Sequence, residues 1–107
     1  MADQIRTDYQ VLQAFTADLF QSTGLNQEDA AYYSKSLVDT NLWGIDSHGV
    51  LRVPIYVKRL LARSINPNPN IKTIKSAITL EVLDGDDGAG QIVGREAMER
   101  AIELAKT

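Results

Sequence analysis

Apolar residues recur at helical spacing along four stretches of this chain and alternate along two short ones. From Asp8 to about Ser22, Val11, Leu12, Phe15, Leu19 and Phe20 follow a period near 3.6, which predicts an amphipathic helix. Thr7 followed by Gln10 reads as a capping box at its start, and Gly24 as its stop. Asn26 is placed to cap a second helix, with Glu28 and Asp29 complementing its positive end. Ala30, Tyr33, Leu37, Val38 and Leu42 fall on one face of that helix, and Gly44 is its expected end. A third helical stretch reaches about Ala62, with Val53, Tyr56, Val57, Leu60 and Leu61 expected inward.

Asn66-Pro67-Asn68-Pro69-Asn70 is incompatible with a helix and reads as an extended connector. Ile71 to Ile74 and Thr79 to Leu83 alternate as short strands. Asp84 to Gly90 is a turn, and Gln91 to Lys106 a final helix with Val93, Ala97, Ala101, Leu104 and Ala105 along one side. The expected fold class is α+β: a three-helix segment, a short hairpin-like strand pair and a C-terminal helix. Two strands make a poor sheet alone, and the final helix stops at the end of the sequence. The chain is therefore expected to be a fragment of a longer protein.

Composition narrows the class without assigning a function. With 107 residues, 44% hydrophobic and 23% charged, the chain is an ordinary globular sequence of one domain at most. A net charge of −3 argues against a dedicated nucleic-acid binder. Arg52, Lys58, Arg59 and Arg63 give the third helix a basic character, but the loop before it carries no basic residue, so they read as a solvated face. No apolar run approaches a membrane span, and Met1 to Thr7 lacks the pattern of a signal peptide. The absence of cysteine excludes disulfide and thiolate chemistry and fits a cytoplasmic protein.

The glycine-rich and acidic motifs match neither a dinucleotide fingerprint nor a calcium loop. Gly88-Ala89-Gly90 leads from a strand into a helix, but its spacing departs from G-x-G-x-x-G, and Asp84, Asp86 and Asp87 would stand beside a pyrophosphate. The same carboxylates lack the spacing of a calcium loop. Trp43 and Tyr56 are expected in the core or at a domain interface.

Asp46-Ser47-His48-Gly49-Val50-Leu51-Arg52-Val53-Pro54 is where chemistry concentrates. It holds the single histidine, four residues before an arginine. On a continuous helix capped by Ser47, the imidazole and guanidinium would share one face. Pro54 allows a different outcome, in which a single turn carries His48 and a new helix starts near Val53. An arginine clamps a carboxylate through two charge-assisted hydrogen bonds. A histidine exchanges a proton near neutral pH. The pair suits a small 2-hydroxy or 2-keto acid.

The flanking residues carry a resemblance. Gly24-Leu25 with Glu28-Asp29-Ala30-Ala31, Gly44 to Arg52, Pro54, Tyr56, Arg59-Leu60, Ile65-Asn66-Pro67, Asp84-Gly85, Gly88, Gly90-Gln91 and Ala97-Met98 run in order over nearly the whole chain. In these the sequence resembles the type-2 malate/L-lactate dehydrogenase family, which includes ureidoglycolate dehydrogenase and 2,3-diketogulonate reductase.

The resemblance implies the N-terminal part of a larger, non-Rossmann NAD(P)-dependent dehydrogenase. Residues 1–66 would be a helical segment carrying the site, and residues 67–107 the start of the cofactor-binding α/β domain. It further implies His48 as proton donor, Ser47 as the residue orienting substrate or imidazole, and Arg52 as the carboxylate ligand, with NAD or NADP as cofactor and a homodimer as the assembly. Asp46 reads as support for the turn. The competing reading is a non-catalytic helical assembly or interaction module.

Overall fold

The computed structural model describes residues 4–107. Helix α1 spans Tyr9–Ser22 and helix α2 spans Gln27–Leu42, joined by a short link into a helical hairpin. The α1 cap is Asp8 rather than Thr7. Its carboxylate accepts the N–H groups of Gln10 at 2.8 Å and Val11 at 3.1 Å, so it satisfies first-turn donors that Thr7, one residue earlier, does not. Asn26 caps α2 as expected, accepting the Asp29 N–H at 2.8 Å. Gly24 and Gly44 end the two helices in the left-handed region, with φ of +112° and +83°.

The core lies where this hairpin meets helix α3, Val53–Leu61. Phe20 and Tyr33 are fully enclosed and stack with ring centroids 4.4 Å apart. Tyr56 of α3 packs on Tyr33 at 5.5 Å, and Leu25, Leu37, Val53 and Leu60 close the cluster. Burial, with Tyr56 beside it, pushes the Tyr33 phenol far above its usual range. Leu61 departs from expectation and is exposed, as it lies about 100° around the helix from the buried Leu60. Val11, Phe15 and Leu42 are likewise exposed, so their helical period reports a face that no other described residue covers. Tyr56 is partly buried, whereas Trp43 stands out of the core at 74% exposure.

Before α3, residues 46–52 do not continue a helix. They form two successive 3-10 turns, Asp46–His48 and Val50–Arg52, separated by Gly49. Pro54 explains the break: it sits in the first turn of α3, where its missing N–H costs nothing. Ser47 accordingly does not cap a helix.

The second half of the chain joins the core through Ala89 and Ile92 and is also tied to the first by polar contacts. Arg63 adopts a left-handed φ of +63° and donates to the Thr23 carbonyl at 3.0 Å, satisfying an oxygen at the end of α1. The connector of residues 66–70 is pinned to the Asp84–Gly88 turn. The Asn66 N–H donates to the Asp87 carbonyl at 2.8 Å, and the Asn70 N–H to the Asp86 carboxylate at 2.8 Å.

Strands β1, Lys72–Ser76, and β2, Glu81–Asp84, pair antiparallel and lie one or two residues later than their alternation suggested. Thr73 pairs with Leu83 and Lys75 with Val82, which leaves Ile74 as a bulge. Helix α4, Gly90–Ala105, packs on α2 through Arg95. That guanidinium reaches Asp29 at 2.7 Å and lies 4.5 Å from the centre of the Tyr32 ring. Ile92 is the buried apolar residue of α4. Val93 and Leu104 are half-buried, while Ala97, Ala101 and Ala105 are exposed, because the expected inner side borders an open groove beside β2.

Candidate active site

The end of α2 and the two 3-10 turns build one exposed loop. Gly44 turns the chain back, so that the Ile45 N–H donates to the Thr40 carbonyl at 3.0 Å. The His48 N–H closes the first turn on Ile45 at 3.1 Å, and the Arg52 N–H closes the second on Gly49 at 3.0 Å.

Ser47, His48 and Arg52 meet on this loop, and all three are exposed. The Ser47 Oγ lies 2.8 Å from His48 Nδ1. Arg52 Nε donates to the Ser47 carbonyl at 3.0 Å. The link between His48 and Arg52 therefore runs through Ser47 and not along one face of a continuous helix. The Arg52 side chain folds back onto the peptide of the residue whose hydroxyl holds the histidine.

This arrangement has definite chemistry. A hydroxyl donates and accepts, so the Ser47–His48 bond suits either ring tautomer. With Oγ accepting from Nδ1–H, Nε2 is left to exchange a proton. Among the described residues, His48 Nε2 and the two Arg52 Nη groups have no protein partner. The Nη pair offers parallel donors to a carboxylate.

A shallow concavity of about 670 Å³ opens beside the loop, lined by Asn41, Asp46, Ser47, Val50, Leu51 and Pro54. A larger one of about 760 Å³ lies along α4, but Glu81, Glu96, Glu99 and Glu103 surround its single cation, Arg100. That lining opposes an anionic acid.

Asn41 escaped the sequence reading. Its Nδ2 donates to Asp46 Oδ1 at 2.8 Å, and its Oδ1 accepts the Val50 N–H at 2.8 Å. Gly49 is buried against the same carboxamide, and a Cβ there would overlap it. The glycine after His48 was the one available signal, since it marks a close approach, but it does not say what approaches. Asp46, read only as support for the turn, is the other end of that contact.

The start of α4 does not fit a pyrophosphate. A Cβ on Gly88 would meet Pro69 at 2.9 Å and Val93 at 3.0 Å, so the turn before the helix is packed against protein at that glycine. Buried Ala89 is the cap, and the adjoining turn carries Asp84, Asp86 and Asp87. Those three carboxylates oppose a pyrophosphate at this helix start.

The comparisons with known proteins agree with the fold. The family model described as malate/L-lactate dehydrogenase matches residues 7–107. L-sulfolactate dehydrogenase of Methanocaldococcus jannaschii is 44% identical over 89 residues, covering 83% of this chain and 26% of that protein. Malate dehydrogenase of Pyrococcus abyssi is 39% identical over 102 residues, covering 95% of this chain and 28% of that protein. The structure of malate dehydrogenase from Pyrococcus horikoshii superimposes with a TM-score of 0.94 at 34% identity, over 99% of this chain and 31% of that one. The chain thus spans between a quarter and a third of the length of these relatives.

Proposed function

The chain belongs to the malate/L-lactate dehydrogenase family, and we propose that it carries the acid–base and carboxylate-binding site of an NAD(P)-dependent oxidoreductase. The reaction interconverts a small 2-hydroxy acid and its 2-keto acid. The observation that carries this reading is the linked trio on the loop, with Ser47 Oγ on His48 Nδ1 and Arg52 Nε on the Ser47 carbonyl.

When bound, NAD or NADP would supply or accept the hydride. Arg52 grips the substrate carboxylate through its free Nη groups. Its charge also favours the oxyanion that develops on the neighbouring carbon during reduction. His48 delivers a proton from Nε2 to that oxygen, while Nδ1–H stays bonded to Ser47. In oxidation the same nitrogen takes the proton back, because Ser47 as acceptor keeps the ring in the tautomer with Nε2 free.

The relatives named for malate and sulfolactate support a dianionic hydroxy acid as substrate. Residues 1–66 form the site-bearing segment of the proposed enzyme, and residues 67–107 the first part of its cofactor domain. A cytoplasmic homodimer is the proposed assembly, supported by the cysteine-free composition and by exposed Trp43 and Leu51 flanking the loop. No described helix is long and apolar enough to cross a membrane.

The test is NAD(P)H oxidation by the natural protein that carries this chain, with the 2-keto acids of malate, lactate and sulfolactate. His48→Ala should lower kcat by about 10²-fold or more, the usual cost of losing a general acid. Undiminished turnover in His48→Ala would place the acid elsewhere. The exposed Trp43 and Leu51 also favour the second reading, a non-catalytic docking module, which predicts no turnover with any of these acids.

A further inference from the structure

Asn41 lies one residue before the end of α2, whose inner face is packed into the core through Tyr33, Leu37 and Val38. It is the point where that rigid helix takes hold of the reactive loop. One carboxamide makes two bonds of 2.8 Å, from Nδ2 to Asp46 Oδ1 and from the Val50 N–H to Oδ1. The first reaches the turn that carries Ser47 and His48. The second reaches the start of the turn that carries Arg52. Gly49, between the turns, has no room for a side chain because its Cα rests on this same group. Within the loop the Gly49 N–H closes the first turn on the Asp46 carbonyl through a long bond of 3.4 Å, and Arg52 Nε joins the second turn to the first at the Ser47 carbonyl, 3.0 Å away. From outside the loop, Asn41 ties both turns to α2 and so fixes where they sit on the packed helix.

We infer that Asn41 is a positioning residue for the site, acting through Asp46 on the His48 turn and through Val50 on the Arg52 turn. The role needs a donor and an acceptor on one short planar group, which a carboxamide supplies and an alanine or aliphatic side chain does not. The inference rests on the proposed roles of His48 and Arg52. It goes beyond them in naming what holds the turns of the proton donor and the carboxylate ligand on the packed helix. A displacement of about 1 Å between such groups is enough to cost roughly 10²-fold in rate.

The experiment compares Asn41→Ala, Asp46→Ala, Asp46→Asn and His48→Ala in the natural protein that carries this chain, by steady-state kinetics and circular dichroism. Asn41→Ala should lower kcat by about 10- to 100-fold and raise KM for the 2-keto acid by about fivefold, since both turns lose their anchor. Loss of folded enzyme alone would lower kcat and leave KM where it was, which would overturn the inference. Asp46→Asn keeps an oxygen to accept from Asn41 and should stay within about threefold of the parent, while Asp46→Ala should fall about tenfold in kcat. Should Asn41→Ala not fold, the exposed Asp46 pair decides, and equal rates for Asp46→Ala and the parent overturn the proposal. A crippled His48→Ala beside intact Asn41→Ala and Asp46→Ala overturns it alone. An active His48→Ala overturns the underlying reading and this inference with it.

Discussion

The packed helical centre and the loop of residues 44–52 are held by different forces. Around Phe20, Tyr33, Leu37 and Leu60 the chain excludes solvent and its contacts are apolar and aromatic. In the loop, Ser47, His48 and Arg52 are exposed, and their arrangement depends on a few hydrogen bonds to backbone carbonyls and to Asn41. Burial is non-directional and scales with area, so it makes a stable platform but aims nothing. Hydrogen bonds are directional and worth only about 1 kcal/mol net each, so they aim the reactive groups and add little stability. Substitutions in the two regions should therefore separate cleanly into stability effects and kinetic effects.

The largest effect should come from the centre. Phe20→Ala removes a fully enclosed ring and its stacking with Tyr33, and should cost about 3–5 kcal/mol. A chain of this size has roughly 5–15 kcal/mol in total. Urea unfolding followed by circular dichroism measures it through the midpoint. A loss below about 1 kcal/mol would mean that this centre is not the platform described above.

The two regions also differ in how legible they were from sequence. The helices α1, α2 and α4 could be read because an apolar period of 3.6 and the capping residue Asn26 act locally. Gly24 and Gly44 marked helix ends because left-handed backbone at those positions favours glycine. The proline at position 54 carried the information that the third helix must begin late, and the structure takes that alternative. The α1 cap fell one residue from its expected place because neighbouring Thr7 and Asp8 both have capping side chains and sequence does not say which one faces the first turn.

The loop was legible only in its reactive residues. Its supporting bond from Asn41 to Val50 spans nine positions and leaves no periodic trace. The fold-back of Arg52 onto Ser47 belongs to a side chain and not to a pattern. Exposure of Phe15 and Leu61 was hidden for a related reason: an apolar identity shows that a surface is available for burial, not which neighbour covers it.

A smaller effect sharpens the kinetic half of the comparison. Arg52→Ala removes the proposed carboxylate clamp and the bond to the Ser47 carbonyl. A charge-assisted hydrogen bond contributes about 1.5–3 kcal/mol, so KM for the acid should rise by about 10- to 100-fold. The unfolding midpoint should not move, because Arg52 is exposed and forms no ion pair among the described residues. Substituting a neutral alcohol analogue for the acid should abolish the difference in KM between parent and variant. A rise in KM that persists with the neutral analogue would show that Arg52 shapes the loop instead of binding charge.

The smallest effect tests the division from the other side. Asp8 caps α1 through two backbone N–H groups and makes no bond to the loop. Asp8→Ala should lower stability by about 1 kcal/mol, a fall in Tm of a few degrees for a domain of this size. Asp8→Asn keeps an oxygen acceptor at the cap and should recover most of it. Neither variant should alter kcat or KM, because a frayed first turn of α1 leaves the end of α2 and its grip on residues 46–50 in place. A change in KM comparable to that of Arg52→Ala would mean that the platform and the loop are one cooperative unit, in which the strain of a distant helix end reaches the reactive groups.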